Sequence, residues 1–488
     1  MIKTFGSKRV FVLTALFGFA FLIRLFFISQ GPFHYDALDL TLSAQKTLDT
    51  FHLHYEHLPG YPLTVVIGAF FLSIFRLLGR SDPVFCMNFM SVVMGACGVL
   101  ALFLLVERLF DFNKAVFSSL LLACFMPHVA ISAFGKSFTL SIFLSLLSAT
   151  FMLRYTQEKR SPYFIFSAIF LGLCVAARLS DVLCIVPITW LLFSAGKLPY
   201  GKVKSFVAFI FMVGLVAFIF YLPMFFENGF FNGGWALVQQ GRGEFLGFFS
   251  RFLRGTLRWI PRVMLSGGMI LLLVGSGLMI FKKQGRPFIF LSLWFLVLQE
   301  LNGNLISYSV RYLVIAWIPL LVVQGYLLGS LKGKGFYISL FIFLIVATAS
   351  FVKFAPALAF RHTHALQVDF SRWVSGQTES DAVIIALDED IMIEFYGKRT
   401  TLGRPLVCDK NVINDFFDNK IDPMLSRGQN IYIISTAILD YDRCGLFRKE
   451  LLRHYDLIFM GERINEDWHH SLLYNELGLE KLFRLRKK

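Results

Sequence analysis

The sequence predicts an α-helical polytopic membrane protein with a small α/β domain at its carboxyl end. Hydrophobic residues make up 56% of the 488 residues, whereas charged residues make up only 16%. Several apolar runs approach the roughly 20 residues that a helix needs to cross a bilayer. After about Arg361 the composition becomes mixed, as in a soluble α/β domain. Predicted strands at Ala382–Leu387, Ile431–Ser435 and Asp456–Met460 alternate with helical stretches such as Val412–Phe417 and Leu446–His454.

Eleven apolar runs are predicted to span the membrane. The first, Val10–Ser29, follows three basic residues and is not followed by a small-residue cleavage site. We therefore expect a retained span rather than a cleaved signal peptide. The other ten predicted spans are Pro83–Val106, Ala115–Ala133, Phe138–Leu153, Pro162–Ala177, Val182–Ser194, Phe206–Phe225, Val263–Phe281, Pro287–Leu301, Tyr312–Leu328 and Phe336–Phe354.

The run Tyr61–Leu78 decides the topology. If the amino terminus is cytoplasmic and this run does not cross, the Lys- and Arg-rich loops between later spans all face the cytoplasm, as the positive-inside rule requires. If the run crosses, the same loops face outward, which that rule disfavours. We therefore expect an interfacial or re-entrant helix on the outer side. An outside amino terminus with twelve crossings is the alternative.

The predicted domains are a membrane domain over residues 1–357 and an extracytoplasmic α/β domain over residues 358–488. The expected location is a prokaryotic inner membrane.

We interpret the net charge of +15 as a topology signal, because the basic residues cluster between apolar runs, and we expect no nucleic-acid partner. Cys408 and Cys444 lie in the polar tail, where a disulfide can form if that tail is in an oxidising compartment.

Two carboxylates follow the first span. Asp36 and Asp39 would share one face of a helix, since they are three residues apart. A carboxylate beside apolar helices is partly desolvated, which raises its pKa and suits it as a general base. The residues alone also fit a solvated helix start with Asp36 as its N-terminal cap.

The same outer segment closes with His57-Leu58-Pro59-Gly60-Tyr61-Pro62-Leu63. Together with the outer Asp36, followed eight residues later by Ala44, this motif resembles the GT-C glycosyltransferases. The likeness is to the branch with protein mannosyltransferases and the aminoarabinose transferase of lipid A. It implies that Asp36 is the catalytic base or helps to hold a metal. It also implies that His57 and Tyr61 lie near the phosphate of a lipid carrier.

Lys136 departs from the family pattern, which usually has a second carboxylate at about this position. A lysine ammonium repels a divalent cation, so a metal site is disfavoured and we expect no required cofactor. Lys136 could bind the carrier phosphate as a point charge or extend its side chain to the interface.

Arginines supply the other candidate phosphate ligands. Arg311-Tyr312-Leu313 resembles a stretch that opens a late span in this family, and a guanidinium there could grip a lipid phosphate bidentately. Arg178, between two spans, is a further candidate because ionisable residues at membrane depth are usually functional. Arg258 belongs to a stripe that either anchors an interfacial helix or binds the phosphate; its other members are Arg251, Arg254 and Arg262.

These features predict a membrane glycosyltransferase of cell-envelope glycan biosynthesis. The expected donor is a polyprenyl-phosphate-linked sugar rather than a nucleotide sugar, because the chain has no convincing nucleotide-binding motif. The acceptor could be a glycan, a lipid or a protein on the outer face, and membrane lipids are further partners. Direct displacement with Asp36 as base would invert the anomeric carbon. A transporter or lipid flippase is the alternative, although we find no inverted repeat.

Overall fold

The computed structural model describes most of the chain in two compact units. The described residues are 2–54, 60–80, 82–196, 198–228, 248–305, 309–387, 390–440, 442, 444–466, 472–474 and 477–488. The first unit comprises residues 1–29, 40–362 and 471–474, and the second comprises residues 30–39, 363–470 and 475–488. The segment 30–39, which contains Asp36, therefore groups with the carboxyl-terminal residues. The sequence gives no signal of this grouping.

The membrane unit is built from helices. They are α1 (Ile2–Phe26), α2 (Tyr35–Thr50, whose first turns belong to the second unit), α3 (Pro62–Leu77), α4 (Pro83–Leu109), α5 (Phe112–Cys124), α6 (Met126–Ser132), α7 (Phe138–Glu158), α8 (Ser161–Ala177), α9 (Ile185–Phe193), α10 (Lys202–Asn228), α11 (Phe248–Phe281), α12 (Gly285–Leu305), α13 (Val310–Ser330) and α14 (Lys334–Thr363). A 3₁₀ turn, Leu179–Cys184, separates α8 from α9.

The chain is an integral multi-pass membrane protein. Among the described residues, seven helices are long and apolar enough to cross a bilayer. The bent pair α5 and α6 makes an eighth, and three shorter apolar segments accompany them. Every predicted span overlaps a helix, so the predicted fold class is confirmed, whereas the number of eleven crossings stays a prediction. The predicted span Ala115–Ala133 bends by 60° between α5 and α6, and the predicted span Val263–Phe281 is interrupted by the non-helical Leu265.

Contacts between helix ends show that α1 and α4 run in opposite directions. Arg9, near the start of α1, forms a 2.8 Å ion pair with Glu107 near the end of α4. Arg108 pairs with Glu158 at the end of α7 at 3.1 Å. The alternative of an outside amino terminus with a crossing α3 is contradicted by the first pair, since it would place Arg9 and Glu107 at opposite ends of the bundle. At 16 residues, α3 is also only ~24 Å long.

The other end of the bundle gathers a different set of helix termini. The Ser29 N–H, just after α1, donates to the Ala133 carbonyl after α6 at 2.9 Å. The Asn88 side chain in the second turn of α4 donates to the Ser29 carbonyl at 3.0 Å. The basic loops after α4 and α7 therefore lie at one end of the bundle, and the start of α4 and the end of α6 lie at the other.

The second unit contains a five-stranded sheet. Its strands are β1 (Val383–Ala386), β2 (Thr400–Gly403), β3 (Ile431–Ile434), β4 (Tyr455–Glu466) and β5 (Leu477–Lys487), in the order β2-β1-β3-β5-β4. Strand β1 pairs in parallel with β2 and β3, while β5 runs antiparallel to β3 and β4. Strands β1 and β3 are fully buried, which explains their uninterrupted apolar sequences.

The tail cysteines are bonded to each other. Cys408 and Cys444, 36 residues apart, form a disulfide that ties the segment after β2 to the segment before Leu446–His454. The sequence analysis names this pair as a possible disulfide, and the structure confirms it. The other five cysteines are free thiols of the membrane unit.

Candidate functional site

Arg178 is a buried cation that contacts two aromatic rings. It follows the last residue of α8 and is only 5% exposed. Its guanidinium carbon lies 4.4 Å from the ring centroid of Phe138 and 5.0 Å from that of Tyr312. The Nε atom donates to the Ser180 hydroxyl at 2.9 Å. Within the described part of the chain, neither terminal nitrogen has a hydrogen-bond partner, so both remain available for an anion.

Arg311 shares the Tyr312 ring with Arg178. Its guanidinium carbon lies 4.9 Å from the Tyr312 centroid. The Tyr312 ring also meets the Phe138 ring edge to face at 5.8 Å. The start of α13 therefore brings two sequence-predicted arginines to one aromatic ring, where cation–π attraction partly offsets the cost of burying charge. We define Arg178, Arg311, Tyr312 and Phe138 as the arginine cluster.

Lys136 lies two residues before Phe138 in a tightly bonded loop. The Lys136 N–H donates to the Ser91 hydroxyl at 3.2 Å, and the Gly135 N–H donates to the Asn88 side chain at 2.7 Å. A Cβ atom on Gly135 would come within 2.6 Å of the Met87 side chain, so the loop needs glycine there. Lys136 is 4% exposed, and its ammonium nitrogen lies 4.8 Å from the Tyr61 ring centroid.

A second buried arginine, Arg24, contacts α6, the helix that precedes this loop. Arg24 of α1 is fully buried where α5 ends, and it donates to the Leu122 and Ala123 carbonyls at 3.4 Å each. Its Nη2 atom lies 2.6 Å from Nδ1 of His128 in α6. Because the bend leaves carbonyls at the end of α5 without helical partners, the guanidinium satisfies them and fixes the position of α6.

Asp36 lies in the second unit, in the first turn of α2, and is 5% exposed. It is not the cap of the helix; instead, the His34 Nδ1 atom accepts the Asp36 N–H at 3.1 Å. The same Nδ1 lies 3.4 Å from Asp36 Oδ2, a contact that becomes an ion pair only when the imidazole is protonated. Phe33, with φ of 64°, holds the preceding turn in the left-handed region, a strained conformation that is enriched at functional sites.

The other predicted residues have mixed outcomes. Asp39 is partly buried on the same helix as Asp36. Arg258 and Arg262 are exposed beside Trp259, with guanidinium-to-ring distances of 5.2 and 5.8 Å. His57 and the side chains of Arg251 and Arg254 lie outside the described residues.

Sequence reasoning missed Asp181. This carboxylate is 1% exposed, lies three residues after Arg178, and accepts a hydrogen bond from the Ser141 hydroxyl of α7. The sequence signal that could have indicated Asp181 is its position three residues after Arg178, a predicted phosphate ligand. His34 was also missed as a partner of Asp36.

Comparisons with known proteins identify the fold of the chain. A family model described as dolichyl-phosphate-mannose-protein mannosyltransferase matches residues 62–226, about a third of the chain. The fold is similar to that of the Archaeoglobus fulgidus oligosaccharyltransferase in complex with Zn and sulfate, with a TM-score of 0.63, 14% identity, and coverage of 96% of this chain and 72% of that one. It is also similar to apo ArnT from Cupriavidus metallidurans, with a TM-score of 0.60, 12% identity, and coverage of 98% of both chains.

The chain has the GT-C fold. The sequence-predicted resemblance is thereby confirmed at the level of fold, including the carboxyl-terminal sheet domain. ArnT has also been solved with undecaprenyl phosphate, in a structure that matches this chain with a TM-score of 0.58, 11% identity and coverage of 98% of both chains. No curated protein sequence matches the chain significantly.

Proposed function

We propose that this GT-C protein transfers a sugar from a polyprenyl-phosphate-linked donor to an acceptor on the outer face of the membrane. The observation that carries the proposal is the arginine cluster. The terminal nitrogens of the buried Arg178 have no partner in the described chain, and Arg311 adds a second cation at the same ring. A phosphate monoanion or diester suits such a pair, since a guanidinium binds two phosphate oxygens at once.

The similar proteins support this ligand class. The matching family is described by a dolichyl-phosphate-linked mannose donor, and two of the similar structures contain undecaprenyl phosphate and dolichol phosphate. One of these also contains an inhibitory peptide. A glycan, lipid or protein remains the proposed acceptor for this chain.

The proposed reaction is a direct displacement at the anomeric carbon. The acceptor oxygen forms a bond to that carbon while the bond from carbon to the phosphate oxygen breaks, and the electron pair leaves with the polyprenyl phosphate. Asp36 takes the proton of the acceptor hydroxyl, acting as general base. Cations around the phosphate stabilise the charge that develops on the leaving group, so a general acid is not required. The product is inverted at the anomeric carbon.

The outer location is proposed from charge and from the disulfide. The end of the bundle with the Arg9–Glu107 and Arg108–Glu158 pairs carries the basic loops, which the positive-inside rule assigns to the cytoplasm. The arginine cluster belongs to the other end, because Phe138 begins the helix that Glu158 ends. A disulfide in the second unit fits an oxidising, extracytoplasmic compartment.

The test is sugar transfer in membranes, measured with a panel of radiolabelled polyprenyl-phosphate sugars. We expect Asp36→Asn to lower the transfer rate by roughly 10²- to 10⁴-fold, the usual contribution of a general base. The matched control is Asp49→Asn on the same helix, whose carboxylate is 46% exposed and pairs with Arg76. Transfer that survives Asp36→Asn undamaged removes the base assignment, and a product with retained anomeric configuration removes direct displacement.

A further inference from the structure

We propose that Asp181 is a positioning residue that orients the Arg178 guanidinium toward the carrier phosphate. The inference rests on the proposed function, because it assigns a partner to the phosphate-binding arginine of that function. Asp181 itself need not touch the substrate. Its role is to fix which nitrogens of Arg178 are offered to the lipid phosphate and which are not.

A short hydrogen-bonded chain links the two residues. Arg178 Nε donates to Ser180 Oγ at 2.9 Å, and Ser180 Oγ donates to Asp181 Oδ1 at 3.4 Å. The same Oδ1 lies 3.8 Å from Arg178 Nε, close enough for a direct electrostatic attraction. The Ser180 hydroxyl therefore bridges Arg178 Nε and the Asp181 carboxylate. All of these contacts are made on the Nε edge of the guanidinium.

The second carboxylate oxygen is fixed by another helix. Asp181 Oδ2 accepts from the Ser141 hydroxyl, which also lies 3.3 Å from the Cys174 thiol of α8. Ser141 is three residues after Phe138, so one face of α7 supplies both the hydroxyl that holds Asp181 and the ring that covers Arg178. The carboxylate is thus held by groups that are themselves buried.

These restraints act on different parts of the guanidinium. The rings of Phe138 and Tyr312 lie within cation–π distance, and the Nε edge faces Ser180 and Asp181. The two terminal nitrogens, without a partner in the described residues, are left for a bidentate ligand. Because the side chain is already ordered, little rotamer entropy is lost when the phosphate binds.

A purely structural ion pair would have a different geometry. A carboxylate that serves only to neutralise an arginine commonly engages two of its nitrogens through two parallel bonds. Asp181 instead forms no hydrogen bond to Arg178 among the described residues: its Oδ1 lies 3.8 Å from Nε, and its Oδ2 accepts from the Ser141 hydroxyl. The terminal nitrogens of Arg178 are thus left without a hydrogen-bond partner within the part of the chain described here.

The test is a double-mutant cycle on binding. The full-length protein in nanodiscs is titrated with a polyprenyl phosphate and, separately, with the matching polyprenol, which lacks the phosphate. The variants are Arg178→Gln, Asp181→Asn and the double variant. We expect Asp181→Asn to weaken phosphate-dependent affinity about tenfold in the native background and to have no further effect once Arg178 is replaced, since contacting residues couple by this order.

Three outcomes would contradict the inference or the proposed function. An equal loss of affinity in both backgrounds would show that Asp181 acts independently of Arg178 and would overturn the inference, as would an unchanged affinity. A wild-type protein that binds polyprenol as tightly as the phosphate would instead reject the proposed function itself.

A second variant guards against loss of folding in Asp181→Asn. Ser141→Ala keeps the carboxylate but removes the hydroxyl that holds it, and we expect a smaller loss of phosphate affinity that again disappears without Arg178. The matched control is Ser148→Ala on the same helix, whose hydroxyl donates to the Ser167 carbonyl at 2.8 Å. Its affinity for the phosphate should be that of the native protein.

Discussion

Replacing Gly325 with alanine should loosen the contact between α13 and α5. Gly325 and Gly329 lie four residues apart on the buried α13, directly against Ser118 and Lys114 of α5. Small residues at this spacing allow two membrane helices to approach closely. A Cβ atom on Gly325 would lie 2.6 Å from the Ser118 backbone nitrogen and 2.1 Å from its hydroxyl oxygen. The hydroxyl can rotate away, but the backbone can move only if the helices separate.

The magnitude follows from that geometry. Overpacking of a close-packed interior costs about 1–3 kcal/mol, and the better helix propensity of alanine returns at most ~1 kcal/mol. We therefore expect a net loss of about 1–2 kcal/mol, seen as a fall of roughly 1–2 °C in apparent Tm in detergent or nanodiscs for a chain of this size. Gly214→Ala in α10 is the control, since no atom lies within 4 Å of its added Cβ. Equal Tm values for the two variants would refute the assignment of Gly325 to a tight helix contact.

Two further predictions concern the second unit. Cys408→Ser should destabilise its sheet by about 4 kcal/mol in the chain-entropy account, because the bond closes a 36-residue separation; faster amide exchange in β3 would show this, and unchanged exchange would contradict it. Burial raises the pKa of Glu480 above that of a free glutamate, so folding favours its protonated form, and the unit loses stability as pH rises through that raised pKa. Glu480→Gln should therefore slow amide exchange in β3 at neutral pH, and this effect should shrink as pH falls toward ~4. Glu462→Gln, at a 43% exposed position of the same hairpin, should leave exchange in β3 unchanged. A pH-independent effect of Glu480→Gln would count against burial as the cause.

Elements with strong local signals were predicted well. The helix Leu446–His454 has the predicted bounds, and the predicted strand at Ile431–Ser435 became β3 with one residue fewer. Strands β2 and β5 were missed. The first is short and partly exposed, and the second alternates basic and apolar residues, so neither has the continuous apolar run that marks a buried strand.

The sequence predicts the candidate site only in part. The sequence names Arg178 because a cation beside an apolar span is conspicuous. It names Arg311 and Tyr312 because their stretch resembles one that opens a late span in the GT-C glycosyltransferases. Their meeting at one ring could not be read, since α8 and α13 are separated by more than a hundred residues. Asp181 was overlooked because its meaning depends on Ser141, a residue of another helix.

By itself, the sequence determined that the chain lies in a membrane, which apolar stretches form its helices, and which residues could carry charge near a lipid phosphate. These properties follow from local hydrophobicity, because a bilayer selects apolar stretches of helical length wherever they occur. Only the tertiary structure decided that α1 and α4 are antiparallel, that Arg24 fills the bend between α5 and α6, and that Asp181 holds the Nε edge of Arg178. Each of these depends on contacts between residues distant in the chain, which local patterns do not encode.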